Sequence, residues 1–389
     1  MIFGIEISQI QLYLIAGGLL LSLLSMPLAL PHILRIIRRR RLCEELPVEV
    51  SAPVGASIIV YSVDEADRLA ELLPQLLTQQ YAGPMEVIVV NEGDSRQVRD
   101  IVESLQTTHH NLYLTHTPDG ARSLSRKKLA ITLGIKAARY DVAVLTEAQA
   151  VINSTQWLAR IMRHFSDDTQ IVFGYAAANP DEDHTFGARA RAFDVALGDI
   201  EWLSAAIGGH PRRGTSFNIA YRRELFFAAK GFSHSLNLRH GDDDIFINRI
   251  ARGVTTAVEL SAASVVEVPG INSRGAVRRQ RAVRRFTERF IHPRRRLMMR
   301  LSGILYTAGA ILPVVALALP PFTTHLGIAV AVAILCWYPI GLIWLSPIRA
   351  IGARHMSLSL PWLAATRPIR LAIQYVYSRL NRGKQYTWE

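Results

Sequence analysis

Residues 57–65 read Ser57-Ile-Ile-Val-Tyr-Ser-Val-Asp-Glu65, a short apolar and largely β-branched run that ends in polar and acidic residues. A continuous run of this kind predicts a strand buried on both faces. The pattern returns at Val87-Ile-Val-Val-Asn91, Asn111-Leu-Tyr-Leu-Thr115, Asp141-Val-Ala-Val-Leu-Thr146 and Gln170-Ile-Val-Phe173. Between these runs, Glu65–Gln80, Arg96–Leu105 and Lys127–Arg139 carry apolar residues at i, i+3 and i+4, which predicts helices. Strands that alternate with helices over residues 54–270 predict an α/β fold, a mostly parallel sheet with helices on both faces.

In open sheets of this class, ligands bind beyond the carboxyl ends of the strands. The residues at those ends are Ser62, Asp64 and Glu65; Asn91, Glu92 and Asp94; and Glu147 and Gln149. Carboxylates gathered at one edge can hold ribose hydroxyls or a base N–H, or a divalent metal that carries a diphosphate. Each of them, taken singly, also suits a helix N-cap or first turn. Three such turns together favour a ligand site.

The rest of the chain has a different character. Half of its 389 residues are hydrophobic, the formal net charge is +12 and the mean hydropathy is +0.17, which excludes a disordered chain. Leu12–Leu34 lacks any charge and is long enough to cross a ~30 Å hydrocarbon core. It is followed by Arg35, Arg38, Arg39, Arg40 and Arg41 and preceded by Glu6, the reverse of a secretory signal peptide. The positive-inside rule then predicts an anchor with its N-terminus outside. Leu301–Pro320 and Leu326–Leu345 predict two further transmembrane helices, a hairpin with arginines on both outer flanks. Three transmembrane helices are therefore expected in all.

The expected organisation is an anchor with a basic flank at 1–41, a cytoplasmic α/β domain at 42–273, a basic amphipathic segment at 274–300, the hairpin at 301–345 and an interfacial tail at 346–389. Only five of the 44 basic residues are lysines, and the arginines cluster beside the apolar segments. That placement suits anionic membrane lipids and predicts no nucleic-acid partner. Neither Cys43 nor Cys336 predicts a disulfide or a CxxC metal site.

Seven fragments carry a resemblance. Ser57–Glu65 comes first, then Leu73-Pro-Gln-Leu-Leu-Thr-Gln-Gln-Tyr81, Val87-Ile-Val-Val-Asn-Glu-Gly-Asp-Ser95 and Lys127-Lys-Leu-Ala-Ile-Thr-Leu-Gly-Ile-Lys-Ala-Ala138. Leu145-Thr-Glu-Ala-Gln-Ala150, Asn218-Ile-Ala-Tyr221 and His240-Gly-Asp-Asp-Asp-Ile-Phe246 complete the series. In this order and at these spacings the chain resembles the membrane-associated glycosyltransferase family 2, of GT-A fold, over residues 52–290. The resemblance implies a GT-A-like mostly parallel sheet and an inverting transferase at the cytoplasmic face of a bacterial inner membrane. A nucleotide-sugar, a UDP-sugar, would be the donor and a lipid or lipid-linked saccharide the acceptor. It implies Tyr61, Ser62, Glu65 and Glu92 along the nucleoside, and Lys127 and Lys128 toward the diphosphate. Glu147 and Gln149 would hold Mg²⁺ or Mn²⁺ at the family's Asp-x-Asp position. Asp243 aligns with the general base; Asp242 beside it is a second catalytic candidate and Asp244 a candidate for acceptor or diphosphate contact, and both would raise the pKa of Asp243 by like-charge repulsion or orient the acceptor.

Two departures stand out. Gln149 removes a charge from the metal motif, and a neutral amide oxygen gains less from a divalent cation. In Arg278-Arg-Gln-Arg-Ala-Val-Arg-Arg-Phe286 the Gln-x-x-Arg-Trp of processive members is absent: Gln280 is followed by Val283 and Arg284. A single-sugar transferase fits better than a polymer synthase. Gln280, Arg284 and Arg285 are candidates for acceptor or diphosphate contact, and Arg274, Arg278, Arg281, Arg285 and Arg289 also make one helical face suited to anionic lipid. The altered metal motif keeps open a second reading, an inactive GT-A domain that serves as a membrane-bound partner or regulatory subunit.

Overall fold

The protein is described here by a computed structural model covering residues 7–50, 52–118, 125–166, 168–178, 185–238, 240–290, 293–319 and 342–352, with residues 327, 331, 359, 362–364, 366, 367, 369–371, 373 and 376. The chain divides into two compact units. One comprises Arg35–Glu182 and Glu201–Phe290; the other comprises Met1–Leu34, Asp183–Ile200 and Ile291–Gly383.

The first unit is the α/β domain. The five predicted strands form as β1 (Ala56–Ser62), β2 (Met85–Asn91), β3 (Leu112–His116), β4 (Val142–Glu147) and β5 (Thr169–Phe173). The predicted helices form as α2 (Ala66–Leu77), α3 (Arg96–Gln106) and α4 (Arg126–Ala137). With β7 (Ile219–Arg222) and β8 (Thr255–Val258) they make a seven-stranded sheet of order β3-β2-β1-β4-β7-β5-β8. All pairings are parallel except those of β7, which runs antiparallel to β4 and β5. Two short strands, β6 (Ala176–Ala178) and β9 (Val266–Val268), pair separately.

Side chains on one sheet face, among them Ile58, Val60, Val87, Val89, Val142 and Val144, pack in one buried cluster with Leu69, Leu72, Leu73 and Leu76 of α2. Trp157, Leu158 and Ile161 of α5 (Trp157–Met162) belong to the same cluster. On the other face α4 lies flush against the strands, because Gly134 has no side chain to hold it off. A Cβ there would stand 2.5 Å from Ile59 Cγ2 and 3.0 Å from Val90 Cγ2. The registers Tyr61↔Val90, Ser62↔Asn91 and Tyr61↔Glu147 bring the carboxyl ends of β1, β2 and β4 side by side.

The helix α1 (Ile7–Glu45) is longer than the predicted anchor, and its last turns belong to the α/β domain. Arg163 donates to the carbonyls of Cys43 at 2.6 Å and Leu46 at 2.7 Å, which caps the helix end. The same guanidinium meets Glu259, fully buried, at 2.7 Å, and His164 donates to that carboxylate from 2.8 Å. Arg39 donates to the Val258 carbonyl at 2.6 Å, and Arg40 to that of Leu260. These two arginines of the basic flank therefore serve protein carbonyls and not the lipid surface expected of them.

In the second unit α1 meets α10 (Pro293–Ala318) at small residues. A Cβ on Gly18 would lie 2.8 Å from the Gly309 carbonyl, and one on Gly309 would lie 2.4 Å from Ser22 Oγ. Small residues at these positions let the two backbones approach closely. The helix α6 (Phe186–Ile207) contributes residues 186–200 to this unit, and the short helices α7 (Arg223–Ala228) and α8 (Ile247–Ile250) belong to the α/β domain.

The expectation of three transmembrane helices is corrected. Among the described residues, α1 alone is long and apolar enough to cross a membrane. The apolar part of α10, Thr307–Ala318, extends about 18 Å, short of a ~30 Å core. Most of 326–345 and of the tail lies outside the described residues. The boundary expected at residue 274 is a helix start: α9 (Arg274–Thr287) is capped by Ser273, whose Oγ accepts from the Ala276 amide at 3.2 Å.

Candidate active site

The candidate site forms where β1, β2 and β4 end. After β1 the chain turns through Asp64, whose φ of +52° is left-handed and unusual for a side-chain-bearing residue. Asn91 at the end of β2 holds that turn: its Oδ1 accepts from the Asp64 amide at 3.0 Å, and its Nδ2 donates to Asp64 Oδ1 at 2.7 Å and to the Gly93 carbonyl at 2.9 Å. Ser62 is buried and links the same two turns, its carbonyl accepting from the Glu92 amide at 2.7 Å. The loops that carry the predicted nucleoside residues are thus built into one another.

Tyr61 donates its hydroxyl to Glu92. Burial, then the hydrogen bond to Glu92 and that carboxylate's charge, push the phenol above its ordinary range, so it remains a donor. Arg126, at the start of α4, stands 3.7 Å from the other oxygen of Glu92.

At the centre is Lys127. Its ammonium lies 2.8 Å from Glu147 Oε1, 2.9 Å from Asp242 Oδ2 and 2.7 Å from Ser216 Oγ, with the Tyr61 ring 5.9 Å away. Ser216 also donates to Glu147. Burial raises the Asp242 carboxyl, but the charge of Lys127, its contact, and the charge of Lys128 outweigh that, so the group titrates below the ordinary carboxylate range. Two carboxylates from separate loops therefore share one cation.

Lys128 departs from the position the resemblance implies. It is fully buried, and its ammonium donates to the carbonyls of Ser235 at 2.6 Å, Leu238 at 3.0 Å and His240 at 2.9 Å. It shapes the loop that leads into the acidic turn and does not face a ligand.

That turn starts at Gly241, whose φ of +105° favours glycine, and continues as one π-helical turn, Asp242–Phe246. Such turns occur often at functional sites. Phe246 anchors it against Phe232, with ring centroids 4.6 Å apart, and against Tyr221 and Phe226. Asp244 is occupied: Arg213 reaches its Oδ1 at 2.5 Å, and Thr287 at the end of α9 donates to its Oδ2 at 2.6 Å. Asp244 therefore ties α9 to the turn. Asp243 belongs to the turn, while its side chain lies outside the described residues. On α9, Gln280 and Arg284 are half-buried and Arg285 is exposed.

Glu65 and Gln149 meet directly, the amide of Gln149 donating to Glu65 Oε1 at 2.6 Å. This fixes the amide and turns its carbonyl oxygen away from Glu65. Sequence reasoning missed Ser216, Arg126 and the role of Arg213. Arg126 sits beside the predicted Lys127 and was the nearest to being found; Ser216 carries no local signal.

Among the described residues, one group of three side chains has metal-ligand chemistry: Cys43, His164 and Glu259, with candidate atoms within 4.8 Å of one another. Glu259 is already taken by Arg163, by His164 and, at 2.7 Å, by the Ser261 amide. The group is the fastening of α1 described above.

Residues 57–228 match the family described as Glycosyl transferase family 2. The structure is similar to the mannosyltransferase PcManGT from Pyrobaculum calidifontis, solved in complex with GDP-Man and Mn²⁺. The two share 18% identity, with a TM-score of 0.54, over 95% of this chain and 100% of that one. The likeness establishes the shared α/β, GT-A-like fold. Comparison with curated proteins gives no match.

Proposed function

We propose that the chain is an inverting glycosyltransferase. It moves one sugar from a nucleotide-sugar to a lipid or lipid-linked saccharide at the membrane face that α1 anchors. The observation that carries this reading is the gathering of Glu147, Asp242 and Ser216 around Lys127 at the carboxyl edge of a family 2 domain. A cation held between acidic loops at that edge suits a diphosphate.

In this reading Tyr61, Ser62, Glu65 and Glu92 line the nucleoside, and Lys127 meets the diphosphate. Asp243 removes the proton from the acceptor hydroxyl as its oxygen attacks the anomeric carbon; the bond from that carbon to the diphosphate breaks, and the nucleoside diphosphate departs. Asp242, held ionised by Lys127, keeps the acidic turn in place. Asp244, through Arg213 and Thr287, sets the position of α9, whose Gln280, Arg284 and Arg285 face the acceptor or diphosphate.

Donor chemistry at the end of β4 fits a hard divalent ion. Lys127 and Ser216 share one oxygen of Glu147, and Gln149 is oriented through its nitrogen by Glu65, which leaves oxygens for Mg²⁺ or Mn²⁺. Such an ion, held by Glu147 and Gln149, would supply further charge against the leaving diphosphate.

One observation favours the second reading, an inactive regulatory subunit: the neutral Gln149 at a position where the family carries a carboxylate. Transfer from labelled UDP- and GDP-sugars into membrane lipid, with Mg²⁺, Mn²⁺ or EDTA, separates the two. Transfer that vanishes in Asp243→Asn supports the enzyme and its base. Nucleotide binding without transfer from any donor supports the subunit.

A further inference from the structure

The second unit holds a cavity of about 450 Å³ that the transfer reaction does not use. It is lined by Met26, Leu30 and Ile33 of α1, Phe193 and Leu197 of α6, and Trp344, with Arg367 among its wall residues. The volume is that of a small-molecule site. Its α1 wall is the last stretch before the basic run that starts at Arg35.

Arg367 and Arg370 converge on one carboxylate. Arg370 meets Asp194 at 2.9 Å and also donates to the Leu363 carbonyl at 3.0 Å and to Thr366, whereas Arg367 Nε stands 3.8 Å from Asp194, beyond hydrogen-bond reach. Two guanidiniums on one carboxylate leave that trio with an excess positive charge. The Nε atoms of Arg367 and Arg370 are both buried without a hydrogen-bond partner. A buried charged donor left unmade is costly, and an anionic oxygen beside it would remove the cost.

We propose that this cavity binds an anionic membrane lipid, its hydrocarbon chain filling the apolar space and its phosphate oxygens taking the unpartnered Nε donor of Arg367, with the charge of Arg370 close behind it. Walls of this kind exclude a hydrophilic ligand, and the guanidinium pair selects a phosphate over an uncharged headgroup. A lipid is the source that meets both demands at once, and it surrounds a helix long enough to span a bilayer. The site stands independently of the transferase reading.

The test uses the full chain in phosphatidylcholine nanodiscs that contain phosphatidic acid with a photoreactive diazirine in one acyl chain. Illumination and peptide mapping should place the label on the segments around residues 26–33 and 193–197. Diacylglycerol with the same diazirine should label them at least fivefold less. Arg367→Gln with Arg370→Gln should reduce labelling severalfold, as should Ala29→Trp, which fills the cavity from the α1 wall that Ala29 shares; Arg367→Lys with Arg370→Lys should retain more of it. Equal labelling by phosphatidic acid and diacylglycerol in the unmodified protein would overturn the proposal, as would label spread evenly along α1. Loss of label in excess inorganic phosphate would overturn the role of the chain. The first two comparisons use the native sequence, so a variant that fails to fold does not decide the result.

Discussion

The ammonium of Lys127 and the carboxylate of Asp242 stand 2.9 Å apart, which joins the first turn of α4 to the π-helical acidic turn. Lys127 also holds Glu147 at 2.8 Å, so its removal leaves two carboxylates facing each other with no cation between them. Lys127→Met should weaken binding of a nucleoside diphosphate by roughly tenfold to a hundredfold, the range for a charge-assisted contact. Calorimetric titration of the purified chain measures it; unchanged affinity would remove Lys127 from the diphosphate site. Lys127→Arg should recover part of the loss.

The next residue should behave in the opposite way. Lys128→Met leaves three carbonyls, one buried and two partly buried, without their donor, at a cost on the order of 3 kcal/mol. The thermal transition should fall by several degrees, while the fraction that remains folded should bind nucleotide with little change. A large affinity loss at an unaltered thermal transition would show that Lys128 acts on the ligand.

Acid should loosen the fastening of α1. Burial raises the Glu259 carboxyl, but His164, Arg163 and Ser261 together bring it down to about 2, from an ordinary value of 4.5. Its stabilising contribution is complete above the unfolded value and is lost as pH falls from about 4.5 toward 2, on the order of 3 kcal/mol in all. His164, which burial holds neutral, works in the same sense, because the unfolded chain takes up its proton first as pH falls. Thermal unfolding in detergent between pH 7 and pH 3 should show the decline, and Glu259→Gln should flatten it while lowering stability at pH 7.

Gly134→Ala sets two effects against each other. Alanine is the better helix former by about 1 kcal/mol. Its methyl would stand 2.5 Å from Ile59 Cγ2, on a buried β-branched side chain with no room to move, and overpacking of this kind costs about 1–3 kcal/mol. The clash should win, and the thermal transition should drop. A rise would mean that α4 can lift from the sheet freely.

Much of this was legible in the residues. Val and Ile runs bounded by polar turns define β1 to β5, because a strand buried on both faces shows its whole length as apolar sequence. β7 was not legible as a strand of opposite direction: four residues carry too little pattern to show orientation. Lys127 and Lys128 look equivalent in the sequence, yet a helix turns about 100° per residue and delivers one to the carboxylates and the other to backbone carbonyls. Asp244 likewise was expected at the acceptor or diphosphate, and its partners, Arg213 and Thr287, are remote in the chain. The third predicted span rested on an apolar composition that lies largely outside the described residues, and the second on a run whose apolar helix is too short.

The fastening of Arg35–Glu45 to Arg163, Val258 and Leu260 also decides where the chain can be cut. The edge of the α/β domain, at Arg35, falls inside a continuous helix, well upstream of the first strand at Ala56. A truncated form that begins at Arg35 keeps the guanidiniums and carbonyls in register, whereas one that begins at Ala52 strips Arg163 and Glu259 of their cover. The first should stay monodisperse in gel filtration and the second should aggregate, so the shortest useful version of this domain carries with it the last turns of a helix that begins outside it.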